Sequence, residues 1–262
     1  MLGIRAKRTP QLEFLHSIRR GSTNMALKAY NDVILVSPAD DRESILALLQ
    51  DIHATDPTAE FSFLNVYKEL PITSSATIFE IKKSSVEFNT NSTQFFTIGE
   101  AREVLIQSNL LSTSVIGKVR ELDSRRLQVT LGDFSYAVVH SEKRNSVRVR
   151  LKLPMQVQLA FDGKLVGGVI RDISLGGVCV TTMLGEVTEQ SGEMELRIKL
   201  LDAGTGTQLE SVIPTRLIRI VENGPHAECA MVFNHTSQSE RQMSGFIFQR
   251  QLEIIKELKA KA

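Results

Sequence analysis

Asp172-Ile173-Ser174-Leu175-Gly176-Gly177 separates two apolar runs, Gly167-Gly168-Val169-Ile170 and Val178-Cys179-Val180. Asp and Ser favour turns because their short side chains bond to nearby backbone, and glycine tolerates positive φ, so the segment reads as a tight turn joining two strands. A carboxylate and a hydroxyl projecting at a strand end can also accept from the N–H groups of a purine, while glycine lets a ligand approach the backbone. Upstream, Lys143 to Lys152 reads KRNSVRVRLK and carries five cations (Lys143, Arg144, Arg148, Arg150 and Lys152) without an acid. Within it Arg144 and Arg148 form an R-x-x-x-R pair. Guanidinium groups donate bidentate hydrogen bonds to phosphate and stack on flat rings, so two of them suit a ligand with both phosphates and bases. Taken singly, the first segment is explained by an ordinary turn and the second by a solvated basic linker.

The surroundings are strand-like. From about Ser75 the runs ATIFEIKK, SVEFN, QFFTI, TSVIGKVREL, RRLQVTL and FSYAVVH are rich in β-branched and aromatic residues and bounded by Asn, Ser, Gly or Asp. After the basic segment come MQVQLAF, VGGVIRDI, GVCVTTM, EMELRIKLL, ESVIPTRLIRIV and HAECAMVF, the spacing of a second sandwich or barrel. Ile45, Leu46, Leu48, Leu49 and Ile52 repeat at helical spacing behind the start signals Ser37-Pro38 and Asp40-Asp41. Ser237 and Glu240 have the spacing of a capping box ahead of a terminal helix carrying Met243, Phe246, Ile247, Leu252 and Ile255. Leu12, Phe14, Leu15 and Ile18 suggest a short amphipathic helix in an N-terminal arm. The division expected is an arm over 1–35, a mixed α/β domain over 36–139, a ligand-gripping connector over 140–150, a β-barrel over 151–236 and a helix over 237–262.

Together, RNSVR and DISLGG resemble the two ligand motifs of the PilZ family, R-x-x-x-R followed by [D/N]-x-S-x-x-G, in the right order, spacing and β context. The resemblance covers roughly residues 141–236, and 75–140 is similar, by pattern, to the N-terminal β domain of YcgR-like flagellar-brake proteins. It implies a mainly β fold with flanking helices: a C-terminal six-stranded antiparallel PilZ barrel, a YcgR-like N-terminal β domain and a C-terminal helix. It also implies a cytoplasmic receptor for cyclic di-GMP, with Arg144 and Arg148 gripping phosphate and stacking on guanine. Asp172 and Ser174 would read guanine edges, and Gly177, beside Gly176, would keep the binding surface open. Lys143 stands where many members have a further arginine; its ammonium neutralises phosphate but has no planar face to stack. The implied partner is a flagellar motor or stator protein, bound differently once the ligand has changed the arrangement of the domains, with motility or biofilm transition as the output. A cyclic di-GMP-responsive DNA-binding regulator, or an interaction module with a degenerate nucleotide site, are the rival readings.

Composition limits the field. Hydrophobic residues at 42% and charged residues at 23% are globular values, and a net charge of +1 excludes a globally basic nucleic-acid binder. No apolar run reaches the roughly 20 residues that span a bilayer, and the N-terminus lacks a secretory pattern. Cys179 and Cys229 both lie in strand-like runs and read as buried free thiols. No complete phosphate-loop, zinc-protease or nucleophile-elbow motif occurs, so neither catalysis nor a cofactor is expected. His226, Cys229 and His235 are the nearest approach to a metal cluster, and strand alternation would scatter them.

Overall fold

The computed structural model describes residues 30–139, 146–201 and 206–262. The first strand set is β1 (Tyr30–Val33), β2 (Glu60–Tyr67), β3 (Leu70–Lys82), β4 (Ser85–Asn89), β5 (Glu103–Gln107), β6 (Ser114–Asp123) and β7 (Gln128–Val139), with α1 (Pro38–Thr55) and α2 (Ser92–Ala101). The second comprises β8 (Arg148–Val149), β9 (Gln156–Phe161), β10 (Lys164–Ser174), β11 (Gly177–Met183), β12 (Glu193–Leu201), β13 (Gln208–Asn223) and β14 (His226–Phe233), followed by α3 (Ser237–Lys259). In each set six strands close into a ring, β7-β4-β3-β2-β5-β6 and β11-β14-β13-β12-β9-β10, and a short seventh strand is added outside: β1 on β7, β8 on β10. Closure pairs the backbone of nearly every strand on both sides, which removes the sheet edges that invite aggregation. The chain is thus mainly β with flanking helices.

Alternation builds both cores. In β14, Ala227, Cys229, Met231 and Phe233 point inward while the residues between them are half-buried. The first core packs Phe88 edge-on against Phe61 and Phe63, with ring centroids 5.8 and 5.0 Å apart, a geometry that favours the ring quadrupoles. Each fully buried apolar side chain contributes roughly 1.5–3 kcal/mol relative to exposure.

Several sequence expectations need correction. QFFTI is not a strand but the body of α2, because Asn91 caps it by accepting from the Gln94 N–H at 2.8 Å and the turn-spaced Gln94 and Ile98 bury one face. RRLQVTL and FSYAVVH contribute to one long strand, β7, with Asp133 in the left-handed region (φ 46°) inside it. The terminal helix is capped by Thr236 and Ser239, which bond reciprocally, rather than by Ser237 and Glu240. Residues 30–33, read as the end of an arm, pair with β7; the candidate helix at residues 12–18 lies outside the described residues.

The two barrels meet at the β2–β3 turn. Lys68 and Glu69 form it with φ of 51° and 69°, a backbone conformation that costs non-glycine residues roughly 1 kcal/mol or more each. Their side chains reach across the seam. Lys68 pairs with Glu257 of α3, its carbonyl accepts from the Arg150 N–H at 2.9 Å, and Glu69 lies 3.4 Å from the Arg150 guanidinium. The flanking Tyr67 and Leu70 join the core of the C-terminal barrel. Arg250, 4% exposed, donates to the Arg150 carbonyl at 2.9 Å and to Glu253 and Glu257 at 2.9 and 3.0 Å.

The Lys68 hydrogen bond, helped by Arg250 and opposed by burial, lowers the Glu257 carboxyl from 4.5 to about 2. A depressed carboxyl stabilises the fold fully above its ordinary value and loses that contribution as pH falls through the folded value. Glu257→Gln is therefore expected to melt below the unaltered chain at neutral pH, with the gap closing between pH 4.5 and 2. Melting curves across that range check this; a gap independent of pH would mean the pair contributes nothing through its charge.

Candidate functional site

Antiparallel pairing of β8 with β10 sets Ser174 opposite Arg148 and Ile173 opposite Val149. Val149 and Ile173 are fully buried in the barrel, so alternation turns Arg148, Ser174 and Arg150 outward. Asp172 joins them through a β-bulge: the β10–β11 register slips between Ile170 and Asp172, leaving Arg171 as the extra residue. The bulge carries both Arg171 and Asp172 to the outer face between the buried Ile170 and Ile173. Arg148 Nη1 then lies 3.6 Å from Asp172 Oδ1, and Arg171 Nε lies 3.8 Å from Asp172 Oδ2. Arg171 is also paired with Glu228 of β14.

The turn after Ser174 is held from three sides. Ser146 Oγ accepts from the Gly176 N–H at 3.2 Å, the Gly176 carbonyl accepts from the Phe233 N–H at 3.1 Å, and His235 Nε2 lies 2.7 Å from the Leu175 carbonyl. A carbonyl can only accept, so Nε2 carries a proton. His235 Nδ1 lies 3.1 Å from Ser239 Oγ, in the cap of α3, which links the turn to the helix start. Ser174 Oγ donates to the Gly177 carbonyl at 3.3 Å and keeps its lone pairs.

Neither Gly176 nor Gly177 adopts positive φ, contrary to the sequence expectation. A Cβ on Gly177 would overlap the Met231 carbonyl oxygen and sit 3.3 Å from the carbonyl carbon and from Val232 Cα. The glycine lets β11 close against β14, whatever else it does.

Charge is balanced among the described residues: Arg148 and Arg171 flank Asp172, Arg171 meets Glu228, and Arg150 meets Glu69. Burial is the largest influence on the Arg171 guanidinium and would lower it, but its acidic neighbours, Glu228 foremost and then Asp172 and Glu69, outweigh burial and raise it. Burial first, and the Asp172 carboxylate second, push the Cys179 thiol up to about 12. Cys229, buried in the barrel, is raised by burial against a Thr182 hydrogen bond. Both cysteines are free and poor nucleophiles as thiols.

The structure brings together Arg148, Asp172, Ser174, Gly176 and Gly177; Lys143 and Arg144 lie outside the described residues. Asp172 and Ser174 do not project freely, being only 4% and 5% exposed. Sequence reasoning passed over Arg171, Glu228, Ser146 and the Lys68–Glu69 turn. One signal was available: Arg171-Asp172 places two charged residues in succession between Ile170 and Ile173, which breaks the period of two and marks a bulge.

The PilZ domain family matches residues 142–249. No curated protein matches the chain. Among solved structures, the K. pneumonia MrkH–c-di-GMP complex is 15% identical with a TM-score of 0.39, the match covering 84% of this chain and 97% of that one. YcgR from Escherichia coli in complex with c-di-GMP is 15% identical, TM-score 0.37, covering 92% and 100%. The Bacillus subtilis inhibitor of motility MotI/DgrA is 12% identical, TM-score 0.36, covering 76% and 98%. Among the described residues no helix is long and apolar enough to cross a membrane, and no group of His, Cys, Asp and Glu could hold a metal ion.

Proposed function

Because residues 142–249 of this chain are a PilZ domain, we propose that it is a cytoplasmic receptor for cyclic di-GMP whose ligand is held by Lys143, Arg144, Arg148, Asp172, Ser174, Gly176 and Gly177. The observation that carries this reading is the meeting of Arg148 with Asp172 above Ser174, where strand pairing gathers one cation and two acceptor side chains on one outer face. A phosphate accepts bidentate hydrogen bonds from a guanidinium, and guanine presents N–H donors to a carboxylate and a hydroxyl. Since Arg148 already faces a carboxylate, ligand entry is an exchange of partners: phosphate takes Arg148, and guanine takes Asp172.

The output follows from β8. Arg148 touches the ligand face, and two residues on Arg150 holds the Lys68–Glu69 turn of the N-terminal barrel. A change at Arg148 is passed along one short strand to the seam, altering how the barrels face each other and hence affinity for a protein partner, with a flagellar motor or stator component as the candidate. In this reading Arg148, at the start of β8, and Arg150, just past its end, carry the change, and the barrel over 151–236 is the fixed part.

Calorimetric titration with cyclic di-GMP, cyclic di-AMP and GTP tests the assignment. Selective binding of the first is expected at micromolar affinity or better, about −8 kcal/mol. Arg148→Ala is expected to weaken it by about 1.5–3 kcal/mol, roughly 10- to 150-fold, with an unchanged melting temperature. Equal weak binding of all three nucleotides overturns the receptor reading, and unaltered affinity in Arg148→Ala removes that arginine from the site.

A further inference from the structure

Asp172 is the one motif carboxylate, nearly buried, and it lies between two guanidinium groups. A buried carboxylate that loses its partner is costly, because the interior solvates charge poorly. That creates a difficulty for partner exchange. If Arg148 were the sole counter-ion of Asp172, drawing Arg148 towards a phosphate would leave the carboxylate exposed to that cost while the ligand was entering. Arg171 removes the difficulty. It occupies the other oxygen of Asp172, at 3.8 Å from Oδ2, while Arg148 occupies Oδ1 at 3.6 Å. It cannot follow Arg148 away, because its far side is paired with Glu228 on β14. The bulge explains why it is available: without the register slip between Ile170 and Asp172, alternation would send residue 171 to the opposite face from Asp172.

We propose that Arg171, anchored by Glu228, is a positioning residue for the nucleotide site: it stays paired with Asp172 and holds that carboxylate in place while Arg148 changes partner, without itself touching ligand. The proposal rests on the receptor reading above. It makes Arg171 act on affinity only through Asp172, which distinguishes it from a further phosphate-binding arginine and from a merely structural ion pair. In the first alternative Arg171 would add its own contact, and its removal would weaken binding whether or not Asp172 is present. In the second it would lower the melting temperature and leave affinity alone.

The experiment is a double-mutant cycle read by calorimetry with cyclic di-GMP, using the full chain, Arg171→Met, Asp172→Asn and the two combined, with melting temperature recorded beside each. Arg171→Met is expected to weaken binding about 10-fold alone and to have no further effect once Asp172 is Asn. Arg171→Lys, which keeps a cation without the two-sided fork, is expected to lose less than Arg171→Met and serves if the methionine variant does not fold. Additive losses, or unchanged affinity in both Arg171 variants beside a binding parent, overturn the positioning role while leaving the receptor reading intact. Failure of the unaltered chain to bind cyclic di-GMP overturns both together.

Discussion

Gly177→Ala is expected to destabilise the C-terminal barrel by about 3 kcal/mol, the upper end of what overpacking a well-filled site costs. A new Cβ there meets the Met231 carbonyl and Val232 Cα, which are backbone atoms of a paired strand and cannot swing aside as a side chain would. Relief would need β11 and β14 to separate where Gly177 stands opposite Val232, which weakens one of the pairings that close the ring. Gly167→Ala in β10 is the matched control, since a Cβ at that position meets nothing within 4 Å. Urea denaturation of both variants decides the matter. Equal stability of the two, with ligand affinity lost only in Gly177→Ala, would assign the glycine to ligand access instead of barrel closure.

Arg250→Met is expected to cost about 3 kcal/mol, the lower figure for breaking a buried ionic network by removing one partner. The substitution keeps apolar bulk but strands the Arg150 carbonyl and takes from Glu257 one of its two cations. Arg250 sits behind the same Arg150 that holds the Lys68–Glu69 turn, so the loss should reach the seam as well as the helix. Calorimetric melting is expected to shift down by on the order of 10 °C and to resolve into separate transitions for the two barrels. A single undiminished transition would mean that the buried guanidinium does not join them. Arg250→Lys should recover part of the loss, since a lysine keeps the charge but cannot serve the carbonyl and two carboxylates together.

The C-terminal half was more legible in sequence than the N-terminal half, for a physical reason. Runs such as HAECAMVF alternate cleanly because one face lines the barrel and the other is wetter, and the motif turn is short enough for its residues to indicate it. QFFTI carries strand-forming residues yet folds as α2, since one capping asparagine and tertiary burial outweigh weak local preference. Of the candidate site, Arg148, Asp172 and Ser174 stood out only through the paired motifs, and strand pairing gathers them on one outer face. Arg171 could not be paired with Glu228, because that contact joins strands whose register is a property of the closed ring, nor Glu69 with Arg150, because that contact joins two separate barrels. The near-burial of Asp172 and Ser174 was likewise hidden, as it comes from packing in three dimensions.

The seam between the barrels also sets an order of events during synthesis. Among the described residues every strand pairing of the first barrel lies between Tyr30 and Val139, so that ring can close as soon as those residues have left the ribosome. Its Lys68–Glu69 turn must then wait, because Lys68 finds its partner Glu257 only 189 positions later in the chain. At the usual pace of 5–20 residues per second the ring exists for several seconds with its turn unsatisfied. During that interval the nascent protein exposes Tyr67 and Leu70, apolar residues that belong in the finished molecule to the core of the other barrel, and it is then that chaperone capture or premature pairing with a neighbouring chain would find its opening.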